Sequence, residues 1–272
     1  MNIVSSITKL DRRLRIGFNK ILSKNSEEHK FIEIISNYLD DFSGYHDLTA
    51  DLIVQIYNNF LLEYTKDVQD FIKTGNYPFE NSKLTNLKRL DYDIALIMSV
   101  LTTQHRFRIL KLFKDSCYYA KRNIAIIGLG SGLELEILRH YCQSKDIFPY
   151  DIEISGFVKE NFKNINLYER EFSNEKFKFS TIYALELLEH LHDPFLFIKN
   201  CTNCLEENGS FYTTTASNIP QSDHLYNFDS ASHFKRNLTL SGLSINFSEK
   251  ISHETFSENF TPYNDWYHLI KN

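Results

Sequence analysis

The stretch Asn123–Tyr141, NIAIIGLGSGLELEILRHY, decides the fold of this chain. Its first five residues, NIAII, are mostly apolar and β-branched, which predicts a buried parallel strand, and its last nine predict a helix. Glycines between a strand and a helix let a ligand approach bare backbone, and the N-terminus of the helix favours an anionic group. The sequence therefore predicts a ligand site on the loop Gly128, Leu129, Gly130, Ser131 and Gly132.

The glycines of this loop have the spacing G-x-G-x-G. Dinucleotide-binding loops have G-x-G-x-x-G, and phosphate-binding P-loops have G-x-x-x-x-G-K. The spacing therefore disfavours a nicotinamide-dependent dehydrogenase and a P-loop enzyme.

Strand-like and helix-like segments alternate on the C-terminal side of the loop. Alternation of this kind predicts an α/β fold with a parallel, doubly wound sheet in residues 116–272. The predicted strands are Ile152–Val158, Phe177–Ala184 and Ser210–Thr215, the predicted helices are Pro194–Leu205 and Ala231–Leu240, and Phe247 with Trp266–Ile270 are candidates for a closing hairpin.

Residues 1–115 are predicted to be helical. The longest amphipathic stretch runs from Thr49 to Thr74 and is expected to end at Gly75 and Pro78. No linker rich in Pro, Gly or Ser separates this part from residues 116–272, so we expect the helices to pack on the sheet as a cap.

Composition and charge exclude several classes of protein. The 272 residues are 42% hydrophobic and have a net charge of −5, so no strong basic field is available for nucleic acid. The longest apolar run, Ile94–Leu101, is far shorter than the ~20 residues that span a bilayer. Four cysteines without a dense spacing pattern indicate free thiols in the cytoplasm. Cys201-x-x-Cys204 has no second pair, so we expect no zinc ribbon there.

Three blocks in order resemble the class I S-adenosylmethionine (SAM)-dependent methyltransferases of the small-molecule and peptide type, with a UbiE/UbiG-like core. The first is IIGLGSGLELEIL, the second is YALELLEHLHDP (Tyr183–Pro194), and the third is LEENGSFY (Leu205–Tyr212). The resemblance implies a Rossmann-like class I methyltransferase sheet with an N-terminal all-helical cap, and SAM as the cofactor.

Three acidic residues of the family pattern are absent. By spacing, their positions are occupied by Ile126, Val158 and Ser180, and Glu160 or Glu153 is a candidate replacement for the carboxylate that binds the ribose. A protein carboxylate that binds the ribose hydroxyls contributes about 1.5–3 kcal/mol to cofactor binding. The cofactor-binding residues that the resemblance implies are Gly128, Leu129, Gly130, Ser131, Gly132, Glu160, Leu185 and Glu186.

Methyl transfer to a hydroxyl or an amine requires removal of a proton, for which His is suited at neutral pH. His190 beside Glu189 is the first candidate, and His224 is the second. His105, Arg106 and Tyr226 are candidate substrate contacts, and Arg106 or Arg108 could pair with a carboxylate of the methionine moiety or of an acidic substrate. His190, His192, Asp193 and His224 include metal-ligand types, but no spacing demands a metal and none is expected.

The expected function is therefore SAM-dependent methyl transfer to an O or N of a small-molecule or peptide acceptor, in specialised metabolism. Two alternatives stay open. The fold could serve as a non-catalytic binding or scaffold subunit, since three acids are absent, or the chain could methylate RNA, which its net charge disfavours. The aromatic-rich helices could cover the core or a homodimer interface.

Overall fold

The fold is described from a computed structural model that covers residues 2–75, 88–143, 145–173, 175–221, 223–228, 231–253 and 260–272. Pro78, predicted to help end the long N-terminal helix, lies outside these residues. The helices are α1 (Ile3–Leu10), α2 (Arg12–Lys24), α3 (His29–Tyr45), α4 (Ala50–Thr74), α5 (Arg89–Thr102), α6 (Gln104–Cys117), α7 (Leu133–Tyr141), α8 (Gly156–Asn161), α9 (Pro194–Cys204) and α10 (Ala231–Leu240). The strands are β1 (Asn123–Ile127), β2 (Asp146–Asp151), β3 (Tyr168–Glu169), β4 (Phe179–Ala184), β5 (Leu205–Ser217), β6 (Leu243–Ser252) and β7 (Tyr263–Lys271).

Within the described residues the strands form one seven-stranded sheet of order β3-β2-β1-β4-β5-β7-β6. The first five strands of this order pair in parallel, as the alternating sequence predicts. β7 pairs antiparallel with both β5 and β6, so the predicted closing hairpin is confirmed. The carboxyl ends of β1, β2, β4 and β5 therefore meet at one edge of the sheet.

The two faces of the sheet bury different sets of helices. Side chains alternate across a strand, so Ile124 and Ile126 of β1 face the N-terminal helices while Ala125 and Ile127 face α9 and α10. The core on the N-terminal side is continuous from Val4 in α1 to Trp266 in β7. The expectation that the helices pack on the sheet is thus confirmed. The predicted boundary at residues 115/116 falls within α6, and a division into separately folding units stays a prediction.

Helix boundaries near the site follow local signals. The Thr49 side chain accepts a hydrogen bond from the backbone N–H of Leu52 at the start of α4, and Gly75 ends α4 with φ of +70°. α9 begins with Pro194 after the Asp193 cap. None of the helices in the described part of the chain combines the length and apolar character that a membrane-spanning segment needs.

One predicted strand is wrong. The segment 152–158 is a turn followed by the start of α8, and the second strand is Asp146–Asp151. Pro149 in the middle of β2 conceals the strand, because proline is rare in central strands. Within the described residues, β3 pairs with β2 only at Tyr150 and Asp151. The edge of β2 that faces β3 is therefore unpaired at Pro149, so a proline without a backbone N–H is tolerated there.

Candidate functional site

Two cavities open at the carboxyl edge of the parallel strands. The loop cavity, of about 510 Å³, lies beside the glycine loop. The inner cavity, of about 140 Å³, lies beneath the N-terminal helices. The loop cavity is lined by Arg89, Tyr92, Leu96, Arg106, Gly128, Leu129, Gly130, Glu134, Asp151, Ile152, Glu153, Leu185, Glu186, Leu187 and His190. The inner cavity is lined by Tyr57, Phe60, Leu61, Tyr64, Tyr92, Ala95, Leu96, Ser99, Thr103, His105, Arg106, Glu186, Glu189, His190, Ala216, Ile219, Gln221, His224 and His253.

The glycine loop requires its glycines for close packing and for backbone conformation. Gly132 has φ of +83°, and a Cβ there would lie 2.7 Å from both the Tyr38 hydroxyl and Cγ2 of Val158. Gly130 has φ of +49° and lines the loop cavity. The Tyr38 hydroxyl donates to the carbonyl of Ser131 at 2.6 Å, so α3 supports the loop from behind. The loop therefore presents bare backbone to the loop cavity.

Asp151, the last residue of β2, fixes the loop electrostatically. Its Oδ2 accepts hydrogen bonds from the backbone N–H groups of Leu129 at 2.6 Å and Gly130 at 3.2 Å. Its Oδ1 accepts from the N–H of Glu153 at 3.1 Å. Since an ionised carboxylate has about four acceptor positions, Asp151 can still accept from a ligand hydroxyl.

Arg89, the first residue of α5, bridges the loop and the segment after β2. It donates to the carbonyl of Gly130 at 2.6 Å and to that of Glu153 at 3.3 Å. It also donates to Asp93 at 3.0 Å. Burial raises the pKa of Asp93 to about 7, and Arg89 opposes this shift.

Glu186 follows β4 at the centre of the site. Its backbone has φ of +48°, and its N–H donates to Oγ1 of Thr214 at 2.6 Å, which holds this conformation. Its carboxylate pairs with Arg106 of α6 and accepts from Nδ2 of Asn264 in β7 at 3.0 Å. Burial disfavours the Arg106 cation, but the carboxylates of Glu186 and Glu134 outweigh this effect and raise its pKa.

A second acidic and histidine-rich group lines the inner cavity and forms what we call its polar end. It contains Glu189 and His190, in the 3₁₀ turn after β4, and His224, in the loop after β5. The rings of His190 and His224 meet edge to face at 5.0 Å. One ligand atom from each of the three side chains lies within 4.8 Å of the others.

The charges in this group depend strongly on burial. Burial raises the pKa of Glu189 to about 8, and the nearby Glu186 adds to the shift. Burial lowers the pKa of His224 to about 4. Burial also disfavours the His190 cation, but Asp223 and Glu189 outweigh it and raise the pKa of His190. The surroundings therefore shift the pKa values of the two histidines in opposite directions.

The rest of the inner cavity is largely aromatic and apolar. α4 contributes Tyr57, Phe60, Leu61 and Tyr64 along one side. At another side the rings of His105 and His253 stack at 3.6 Å. Burial lowers the pKa of His105 well below its usual range, and His253 and Arg106 add to this effect. Apart from its polar end, the cavity thus has a mainly apolar and aromatic lining, to which the pair His105 and His253 adds two imidazoles.

The two cavities share one wall. Tyr92, Leu96, Arg106, Glu186 and His190 line both of them. A group bound in the loop cavity and a group bound in the inner cavity would therefore contact the same five side chains.

The structure places most of the predicted site residues around the two cavities. Gly128, Leu129, Gly130, Leu185 and Glu186 line the loop cavity. Ser131 and Gly132 are buried and do not line it. His105 and His224 line the inner cavity, Glu189 lines it too, and Arg106 and His190 line both.

The structure places the other candidate residues away from both cavities. Glu160 lies on α8, pairs with Lys163 at 2.9 Å and lines neither cavity, because the second strand ends at Asp151 and not near Val158. Tyr226 packs on Phe195 and Phe228 and also lines neither cavity. His192 and Asp193 are exposed and lie outside the metal-ligand group that the structure assembles. Arg108 forms a two-bond ion pair with Glu249 and lines neither cavity.

The sequence analysis missed Asp151, Ile152, Arg89 and Tyr92. Asp151 carries the signal of an acid at a strand end, but Pro149 concealed that strand. Ile152 is 77% exposed and lines the loop cavity. Its side chain offers an apolar face to a ligand ring. Arg89 and Tyr92 lie on a helix distant in sequence from the loop and have no local signal.

No protein-family model and no curated protein sequence matches the chain. Comparison with solved structures shows the fold. An O-methyltransferase family protein from Burkholderia thailandensis is similar with a TM-score of 0.52 and 9% identity, over 82% of this chain and 74% of that one. A structure from Galdieria sulphuraria assigned as a sarcosine dimethylglycine methyltransferase has a TM-score of 0.50 and 11% identity, over 61% of this chain and 86% of that one. The chain therefore has the Rossmann-like class I methyltransferase fold, with N-terminal helices packed on its sheet.

Proposed function

We propose that the chain is a SAM-dependent methyltransferase that transfers a methyl group to an O or N of a small-molecule or peptide acceptor. The observation that supports this most directly is the pair of cavities with a shared wall at the carboxyl edge of the sheet. In open α/β sheets this edge is where ligands bind. A donor in one cavity and an acceptor in the other would meet at Glu186 and His190.

The loop cavity fits SAM by its size and by the chemistry of its lining. Its volume of about 510 Å³ lies within the range of small-molecule sites. The carboxylate of Asp151 has acceptor capacity left for ribose hydroxyls, and the exposed Ile152 offers an apolar face for the adenine ring. Arg89 and Arg106 are the lining cations that would attract the methionine carboxylate.

SAM would supply a methyl carbon on a sulfonium, from which the sulfur leaves with the bonding electron pair as a neutral thioether. The residues of the chain align the acceptor lone pair and exclude water. The carboxylates of Glu134 and Glu186 in the cavity lining favour a cationic sulfonium. His190, in the shared wall, is placed to receive the proton that an acceptor hydroxyl or amine releases.

The inner cavity limits the part of the acceptor that enters it. A cavity of about 150 Å³ with apolar walls holds benzene, so about 140 Å³ accommodates one ring or a short aliphatic group. Its aromatic side, from α4, suits a flat or apolar group, and its polar end suits the hydroxyl or amine to be methylated.

The experiment is an acceptor screen. Purified chain is incubated with methyl-labelled SAM and with panels of small phenols, amines, short aromatic peptides and RNA, and S-adenosylhomocysteine (SAH) is quantified. We expect acceptor-dependent SAH formation that is lost in Gly130→Arg. SAH binding without turnover on any panel would instead support the non-catalytic alternative, and labelled RNA as the product would support the RNA methyltransferase.

The finer assignments belong to the same proposal. They are the UbiE/UbiG-like subtype, a role in specialised metabolism, a cytoplasmic location and a homodimer. Each of them rests on its sequence argument alone.

A further inference from the structure

The inference concerns the group Glu189, His190 and His224 at the polar end of the inner cavity. Within the part of the chain that the structure describes, these three side chains bring one ligand atom each to within 4.8 Å of one another. Two imidazoles and one carboxylate are a donor set that divalent transition metals prefer.

Both imidazoles are held in the orientation and tautomer that a metal ligand needs. Nδ1 of His190 lies 3.0 Å from the carbonyl oxygen of Asp223, and Nδ1 of His224 lies 2.9 Å from that of Ile219. A carbonyl oxygen only accepts, so each Nδ1 donates its hydrogen. In the neutral ring this leaves the Nε2 lone pair available. Histidines that bind metals almost always donate their other N–H in this way.

Two carboxylates at the group are buried without hydrogen-bond partners among the described residues. Oε2 of Glu189 has no partner in this part of the chain, and Glu189 is 1% exposed. Both carboxylate oxygens of Asp223 also lack a partner among the residues that the structure describes, and Asp223 is 1% exposed. Nδ1 of His190 lies 3.6 Å from Oδ2 of Asp223. Burying such groups unpaired is costly, and a cation bound beside them removes the cost.

The backbone fixes the two ligand-bearing segments to each other. The N–H groups of Leu225 and Tyr226 both donate to the carbonyl of Glu189, at 2.7 Å and 2.9 Å. The loop after β5, with His224, is thereby attached to the 3₁₀ turn that carries Glu189 and His190. A site built on segments attached in this way is preorganised.

We propose that Glu189, His190 and His224 bind one divalent transition-metal ion, with Asp223 as the carboxylate behind His190. Three protein ligands leave a coordination position open, as in catalytic zinc sites, and the three side chains line the inner cavity. A hydroxyl or amine that enters the cavity can occupy this position. The metal site itself is independent of the proposed function. The idea that the metal ion binds the acceptor rests on the proposed function. In the metal-bound protein, His190 is a metal ligand.

The experiment uses the full chain, stripped with a chelator and titrated with Zn²⁺ by calorimetry. We expect one equivalent to bind with submicromolar Kd and at least 100-fold weaker binding by His224→Ala and by Glu189→Gln, which keeps the side-chain shape. His192→Ala is the matched control, because His192 is exposed and close in sequence but outside the group. It should bind as the wild type does.

A spectroscopic measurement covers the case in which a variant fails to fold. Co²⁺ added to the stripped wild-type chain should give visible d–d absorption of a low-coordinate site, and one equivalent of Zn²⁺ should abolish it. Absence of stoichiometric Zn²⁺ binding, or equal Zn²⁺ affinity of the wild type and a folded His224→Ala, would overturn the proposal.

A parallel titration with SAH separates this proposal from the proposed function. SAH binding by the stripped chain without Zn²⁺ binding would refute the metal site alone. Zn²⁺ binding by a chain that does not bind SAH would refute the methyltransferase alone.

Discussion

The loop cavity and the inner cavity are built in different ways. Most of the residues that line the loop cavity end or directly follow β1, β2 and β4. The inner cavity is formed by side chains from α4, α5 and α6, and from the segments after β4, β5 and β6. The first therefore depends on local conformation, and the second depends on how distant helices and loops pack together.

This difference teaches that donor binding and acceptor binding should respond to different mutations. Substitutions that change the backbone of the glycine loop should affect only the binding of the nucleoside ligand. Changes in packed, charged side chains should affect the stability of the whole chain, because the N-terminal helices and the sheet share one core.

The largest expected effect is that of Gly130→Arg on the loop cavity. The φ of +49° disfavours any side chain, a Cβ would lie 3.0 Å from Cδ1 of Leu96, and the rest of the side chain would occupy the cavity. We expect SAH affinity to fall at least 1,000-fold in calorimetry.

The matched control for this prediction is Gly44→Arg. Gly44 is exposed on α3, and a Cβ there would meet nothing within 4 Å. Equal SAH affinity of the two variants would show that the loop cavity is not the donor site.

Breaking the buried ion pair in the shared wall is the second prediction. Arg106→Met leaves the Glu186 carboxylate without its cation, and the two side chains are only 13% and 17% exposed. Removing one partner of a buried pair costs about 3–5 kcal/mol of unfolding free energy. Chemical denaturation of the variant measures this loss.

Arg108→Met is the control on the same helix. Its ion pair with Glu249 is 41% and 28% exposed, so the expected loss is only about 0.2–1 kcal/mol. A larger loss for Arg108→Met than for Arg106→Met would contradict the described packing of α6.

The third prediction decides between two carboxylates for the ribose. Asp151→Asn removes the charge that accepts the N–H groups of Leu129 and Gly130. The same charge would accept the ribose hydroxyls of SAH. Hydrogen bonds to a charged group contribute about 1.5–3 kcal/mol to binding, so its loss should lower SAH affinity about 10- to 100-fold. Glu160→Gln should leave SAH affinity unchanged, because Glu160 lines neither cavity. The reverse result would restore the assignment made from sequence spacing.

The smallest expected effect, counted per pH unit, is a pH dependence on the α5 side of the loop cavity. Asp93 has a pKa of about 7 in the folded chain, against 3.8 for an unperturbed carboxyl. Between these values the folded chain binds more protons than the unfolded chain, so the unfolding free energy falls as pH rises, by up to about 1.4 kcal/mol per pH unit. Asp93→Asn should make this slope shallower in urea unfolding at a series of pH values. An unchanged slope would contradict the burial of an ionisable Asp93.

The sequence predicts the loop-cavity side well because its signals are local. β1, the glycine loop and α7 follow one another in the chain, and the predicted bounds 123–127 and 133–141 agree with the structure. The exception, β2, shows the limit of a local rule. Pro149 argues against a central strand, and only the short pairing of β3 makes its position tolerable.

The inner cavity could not be predicted in the same way. His190 and His224 are recognisable as reactive residue types, but the loop after β5 must fold back onto Glu189 before they meet. The separation of residues 189 and 224 in the sequence does not indicate how close their side chains lie in the fold. Arg89 lines the loop cavity and Tyr92 lines both cavities, although α5 is distant in sequence from the glycine loop.

The central claim is that the loop cavity binds the methyl donor. Calorimetric titration of the purified wild-type chain with SAH tests it most directly. We predict one site per chain with micromolar Kd, because Asp151 supplies the carboxylate that sequence spacing does not reveal. No binding of SAH at millimolar concentration would contradict the account.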